Sequence, residues 1–311
     1  MNTSALNAKK RIPAILDTDI GGDIDDTWAL AMMLKSPELD VKLVVSDTGN
    51  TTYRAKIAAK LLDTAGRTDV PVGVGVHISD PLGPQAAWVE NYDLAAYPGA
   101  VLPDGVGAII DTIMKSPEPV TLVCIGPVPN VAAALSREPR IAGRARFVGM
   151  HGSVRRGYGG SEKISAEYNV ATHTPDCQKV FAAPWDMTIT PLDTCGLVKL
   201  QGEKYRRVRD CPDPLVRAVI ENYRIWAKAG NLGDIAERES SVLFDTVAVY
   251  LAFSEELLVM EKLGIRVSDD GYTLIDPGAK TINSAVGWRS LAAFEDFLVQ
   301  RLSGGPDTAG G

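Results

Sequence analysis

IPAILDTDIGGDIDDTWAL, residues 12–30, is the stretch on which the reading turns. An apolar run (12–16) of strand length leads into Asp17, Asp19, Asp23, Asp25 and Asp26, and DDTWALAMMLKS (25–36) then reads as a helix stopped before Pro37. Carboxylates in the first turn of a helix are favoured by its dipole, which accounts for Asp25 and in part Asp23. That does not account for Asp17 and Asp19 at the tip of a hydrophobic strand, where like charges repel unless a cation sits among them. Oxygen-only ligands select a hard ion, calcium or magnesium rather than zinc.

Outward from this stretch, short β-branched runs alternate with helical patterns. Strands are expected at 41–47, 71–76, 119–126, 145–150 and 186–193. Helices are expected at 51–66, 105–116, 128–139, 174–184, 212–229 and 241–254, and near the end over SLAAFEDFLVQRL. IRVSDDGYTLIDPG reads as a hairpin turning at Asp270-Gly271. The expected fold class is α/β, a single open, mostly parallel sheet flanked by helices. Residues 1–11 read as a flexible arm, 12–302 as one domain and 303–311 as a flexible tail. Ligands of such sheets sit beyond the carboxyl ends of the strands. There the sequence places Asp17 and Asp19, Asp47 and Asn50, Ile125 and Gly126, Met150 and His151.

The net charge of −7 and a pI near 5.1 argue against a nucleic-acid surface, which needs a basic face. No stretch approaches the ~18 apolar residues of a membrane helix, and no apolar region follows the basic residues near the N-terminus. The four cysteines form no C-x-x-C pair. A cytoplasmic protein without membrane or nucleic-acid partners is expected.

The acidic string resembles the signature of the inosine–uridine-preferring nucleoside hydrolases, D-x-D-x-G-x-D-D-x-x-A-L. Thr48-Gly49-Asn50 is similar to that family's G-N corner, and LVCIGPVPNVAAAL (122–135) to its strand, G-P-x-x-N and helix element. VGMHGS (148–153), AEYNVATHTPDCQKVF (166–181) and LFDTVAVYL (243–251) continue the match in order. A D-x-D phosphatase would use Asp17 and Asp19, but has no role for Asp25-Asp26.

The resemblance implies a nucleoside hydrolase-like fold and calcium-dependent hydrolysis of ribonucleosides to ribose and free base by a metal-bound water. It implies Asp19, Asp26, Asp245 and the carbonyl of Ile125 as calcium ligands, with Asp19 also the general base. Asp25 and Asn50 would bind the ribose 2-hydroxyl region, and Glu167 and Asn169 the other hydroxyls. Met150, His151 and Phe244 would face the substrate, with Asp17 orienting the ligand loop. A homodimer or homotetramer is implied by analogy. Two residues are inserted before Asp25-Asp26, which leaves Asp23 a possible extra ligand. Phe244 stands where relatives carry a histidine that protonates the leaving purine, so the aromatic face is free to stack on a base. Ordinary readings compete: Asn50 and Asn130 as helix N-caps, preferred for Asn130; Glu167 as a surface charge; His151 as a structural hydrogen-bonder; Tyr223 and Trp226 as core or as a lid. The rival functions are hydrolysis of another ribosyl compound and non-catalytic binding of ribose or a nucleoside.

Overall fold

The structure, a computed structural model, describes residues 10–304. Ten strands form one sheet in the order β4-β3-β2-β1-β5-β6-β7-β10-β8-β9. They are β1 (Ile12–Thr18), β2 (Leu39–Ser46), β3 (Val72–Val74), β4 (Val101–Leu102), β5 (Val120–Cys124), β6 (Ala145–Met150), β7 (Met187–Thr190), β8 (Leu258–Val267), β9 (Thr273–Ile275) and β10 (Thr281–Trp288). Pairing is parallel from β4 through β7 to β10, and antiparallel only where β8 joins β10 and β9 joins β8. The mostly parallel α/β sheet is therefore as expected.

Eleven α-helices accompany the sheet among the described residues. The first six are α1 (Asp25–Leu34), α2 (Thr51–Thr64), α3 (Gly105–Lys115), α4 (Pro129–Arg137), α5 (Tyr168–Ala171) and α6 (Thr174–Ala182). The remainder are α7 (Gly202–Arg209), α8 (Pro214–Ala229), α9 (Ile235–Arg238), α10 (Phe244–Leu251) and α11 (Leu291–Ser303). Two buried apolar clusters cover the faces of the sheet. One holds Leu16, Trp28, Val44, Tyr223 and Leu251; the other holds Ile15, Val45, Leu122, Phe147 and Phe181. Ile15 and Leu16 fall in different clusters because successive strand residues point to opposite faces.

β1 lies between β2 and β5, where the strand order reverses. A crevice opens at such a switch point beyond the carboxyl ends of the strands, and β1 delivers the acidic loop into it.

The strand β10 went unread in the sequence. TINSAVGW mixes polar and apolar residues without a clean alternation; it pairs with β7 on one side and with the outer β8 on the other. The arm and tail expected at 1–11 and 303–311 lie outside the described residues except at their inner edges, where α11 runs on through Ser303.

Candidate active site

Asp17 and Thr18 close β1, and Asp25 and Asp26 open α1. Asp17, Asp19, Asp25 and Asp26 are all buried. Thr18 Oγ1 donates to Asp26 Oδ1 and accepts from the Ile20 amide at 3.1 Å, fastening the strand end to the helix start. α10 packs against α1 and brings Asp245 in its first turn. The Asp245 amide donates to Asp25 Oδ2 at 3.2 Å. The carboxylates of Asp25, Asp26 and Asp245 offer oxygens within 4.8 Å of one another.

Burial, then repulsion from neighbouring carboxylates, Asp19 among them in each case, raises Asp25, Asp26 and Asp245 well above the usual carboxylate range. Burial also raises Asp19, with the Arg54 guanidinium opposing it, and pushes Asp17 to about 7 against a hydrogen bond from Asn130. Asp47, wholly buried, has no hydrogen-bond partner on either oxygen among the described residues. So many buried acids with so few donors form a donor set suited to a hard divalent ion.

A cavity of about 420 Å³ opens on this cluster, bounded by Asp19, Asp25, Asp26 and Asp245, with Met150, Glu167, Asn169 and Phe244 on its walls. A larger cavity of about 730 Å³ beside α2 has Glu90 as its only acid, and so lacks the chemistry. Glu167 is 1% exposed, which rules out a surface charge. It stands at the start of α5 and accepts from the amides of Gly152 (2.9 Å), Asn169 (2.7 Å) and Val170 (3.3 Å). Burial nonetheless pushes its carboxyl up to about 7. Asn169 Nδ2 donates to the carbonyls of Met150 at 3.0 Å and Ile125 at 3.3 Å, tying β5 and β6 together at the cavity wall. Gly126 is required here: a Cβ would come within 2.9 Å of Asp19 Oδ1. At the mouth, the ring of Phe244 meets Tyr158 edge-on at 6.2 Å, and the Tyr168 amide donates to the Tyr158 hydroxyl at 3.0 Å.

Most of the residues expected to touch metal or substrate meet in this cavity, but Asn50 and His151 do not. Asn50 caps α2 through the Tyr53 amide at 3.0 Å and donates to the Asp80 carbonyl at 2.8 Å, so its amide is spent outside the cavity. His151 is sealed between Phe147 and Phe181, at 5.5 and 6.1 Å, and bounds no part of the cavity. Its ring nitrogens lack hydrogen-bond partners, with only the Gly126 backbone near enough to favour protonation. Asn130 is not a cap: Val128 holds that place. Instead Asn130 donates to Asp17 Oδ1 at 2.8 Å and to the Ser46 carbonyl at 3.1 Å. Asp25 joins Asp26 and Asp245 in the carboxylate triplet, while Asp19 stands beside it and faces Arg54 at 3.5 Å. Asp23 is exposed on the cavity rim. Sequence reading missed Tyr158 as a wall residue, for it sits in a Gly-rich loop, and it missed Arg54, one of several basic residues in α2.

The inosine-uridine preferring nucleoside hydrolase family matches residues 14–292. The chain belongs to this family, glycosidases that act on N-glycosyl bonds. It is 30% identical over 223 residues to the pyrimidine-specific ribonucleoside hydrolase RihA of Citrobacter koseri, covering 68% of this chain and 69% of that protein. The RihA of Escherichia coli O139:H28 is equally similar, 30% over 223 residues, with 68% and 70% covered. Among solved structures, a plant nucleoside hydrolase, PpNRh1, superposes with a TM-score of 0.81 at 20% identity, over 95% of this chain and 100% of that one. A purine-preferring ribonucleoside hydrolase from Gardnerella vaginalis gives 0.76 at 23%, over 94% and 98%. These two likenesses bear on the fold.

Proposed function

We propose that this chain hydrolyses the N-glycosidic bond of ribonucleosides to ribose and free base, with calcium held at the acidic cluster. The observation that carries this reading is the buried triplet Asp25, Asp26 and Asp245 at the floor of a cavity walled by Glu167 and Asn169. Asp26 and Asp245 would hold the ion, with the Ile125 carbonyl and Asp19 beside them. Asp19 lines the same cavity as Asp26 and repels it, which supports a cation shared between them. A hard divalent ion supplies a water acidic enough to attack at neutral pH.

Asp19 would take a proton from the attacking water: it borders the cavity, and the charged group that faces it is Arg54 at 3.5 Å. Asp25, which belongs to the triplet and lines the cavity, would bind the 2-hydroxyl of the ribose. Glu167, anchored by three amides, and Asn169 bind the remaining hydroxyls. The buried carboxylates also stabilise the positive charge that develops on the sugar as the bond breaks. Phe244 and Tyr158 offer apolar surface to the base. Pyrimidine ribonucleosides are the first substrates to try, since the 30% identical relatives are named as pyrimidine-specific.

The test is base release from uridine, cytidine, inosine and adenosine, with and without chelator. Activity abolished by chelator and restored by calcium is expected, with Asp19→Ala lowering kcat by about 10²- to 10⁴-fold. No base release from any nucleoside would sink the reading. Release unaffected by Asp19→Ala would remove Asp19 as the base.

A further inference from the structure

The loop between β1 and α1, longer than the family signature by two residues, is held in an unusual way. Four consecutive carbonyls each accept from a different side chain. Arg54 Nη1 donates to Ile20 at 3.3 Å, Tyr53 Oη to Gly21 at 3.0 Å, Trp226 Nε1 to Gly22 at 3.2 Å and Gln85 Nε2 to Asp23 at 2.7 Å. The donors come from α2, from α8 and from the segment before Ala86. They are themselves tied together: the Gln85 amide donates to Tyr53 Oη at 3.1 Å, and Asn222 Nδ2 to Gln85 Oε1 at 2.6 Å. Gly21 sits at φ +106°, a conformation that side chains resist.

Such anchoring fixes the one side chain the loop sends outward. Asp23 Oδ1 accepts from the Ile24 amide at 2.7 Å, and Oδ2 has no protein donor among the described residues. Asp23 is exposed, and it borders the same cavity as Phe244, Tyr158 and Tyr168. A merely solvated charge needs no scaffold. A recognition group does, because pre-ordering removes the entropy of positioning it at binding.

We propose that Asp23 is a specificity-determining residue whose free carboxylate oxygen accepts an N–H from the edge of the base remote from the glycosidic bond. This rests on the nucleoside hydrolase reading of the cavity. The ribose is drawn to the buried floor by Asp25, Glu167 and Asn169, so the base lies toward the rim and its far edge reaches Asp23. That edge carries N3–H in uracil and N1–H in hypoxanthine, both donors that match a carboxylate acceptor.

The experiment compares kcat/KM for uridine against 3-methyluridine, and inosine against 1-methylinosine, in the wild type, Asp23→Ala and Asp23→Asn. A site that reads a donor rejects the analogue lacking it, so the wild type should favour at least one parent by about tenfold or more. In Asp23→Ala that ratio should fall to within about twofold. Asn, which keeps an acceptor oxygen, should give an intermediate ratio. Trp226→Phe, which removes the Gly22 anchor, should raise KM for the parent more than it lowers kcat. An Asp23→Ala enzyme that keeps the full ratio, or loses activity equally on both members of a pair, overturns the assignment while leaving the reaction class intact. So does a wild type that prefers neither parent. A wild type that releases no base from any of the four would overturn the reaction class, and this assignment with it.

Discussion

Arg54 Nη1 lies 3.5 Å from Asp19 Oδ2, with only 11% and 9% of their side chains exposed. The guanidinium also abuts Gly49, where a Cβ would come within 3.2 Å of Nη2 and where φ is +59°. Arg54 therefore brings positive charge to Asp19 and to Asp47, whose oxygens have no hydrogen-bond partner. Removing one partner of a buried pair leaves the other charge uncompensated. Arg54→Leu should destabilise the fold by about 3 kcal/mol in chelator, measured by urea unfolding. The loss should shrink when calcium is present, because the ion then supplies the missing positive charge. Equal losses with and without calcium would separate Arg54 from the metal cluster.

How much of this was legible in the sequence depends on how local each feature is. The acidic loop stood out because five carboxylates straight after an apolar strand have few structural explanations. Asp245 stood out as a lone acid in an apolar helix start. The two asparagines were read the wrong way round. Asn50 and Asn130 both lie near helix starts, and which one caps depends on what else comes within reach. For Asn130 that is Asp17, 113 residues away in sequence. Arg54, Gln85 and Trp226 act on the loop across separations of 34, 62 and 204 residues, and no pattern in their own neighbourhoods announces it. His151 went astray for a related reason. It follows a strand end, as a ligand-binding residue would, but its ring turns into the aromatic layer between Phe147 and Phe181.

The carboxylate triplet predicts a cation-dependent stability. An ion that binds only the folded state stabilises it by RT ln(1 + [L]/Kd), about 2.7 kcal/mol at a hundredfold excess over Kd. Calcium should therefore raise the thermal midpoint in a concentration-dependent way, and Asp245→Ala should abolish that rise. Removing Asp245 also takes away a buried carboxylate that Asp25 and Asp26 repel. The metal-free variant should thus melt no lower than the metal-free wild type by more than the packing loss. A calcium-induced rise that survives in Asp245→Ala would move the ion elsewhere.

His151 predicts an acid sensitivity with a definite sign. Burial lowers its pKa from an ordinary 6.5 to about 3. Below pH 6.5 the unfolded imidazole takes up a proton that the folded one refuses, so stability is lost as the pH falls from 6.5 toward 3. The slope should approach about 1.4 kcal/mol per pH unit over that window. Glu167 acts in the opposite sense: its folded pKa of about 7 lies above the ordinary 4.5, so its share of stability is present at low pH and is lost as the pH rises from 4.5 to 7. Asp17, also pushed to about 7, and the buried Asp25, Asp26, Asp47 and Asp245 act in the same sense as Glu167. Near pH 5.5 the imidazole therefore offsets only part of the acids' slope in the wild type. His151→Leu should uncover the Glu167 trend, so that unfolding free energy measured in urea rises as the pH is lowered from 7 to 5, whereas the wild type stays flatter. If His151→Leu left the pH profile unchanged, the imidazole would have to be reaching solvent in the folded state, against its sealing between the two phenylalanines.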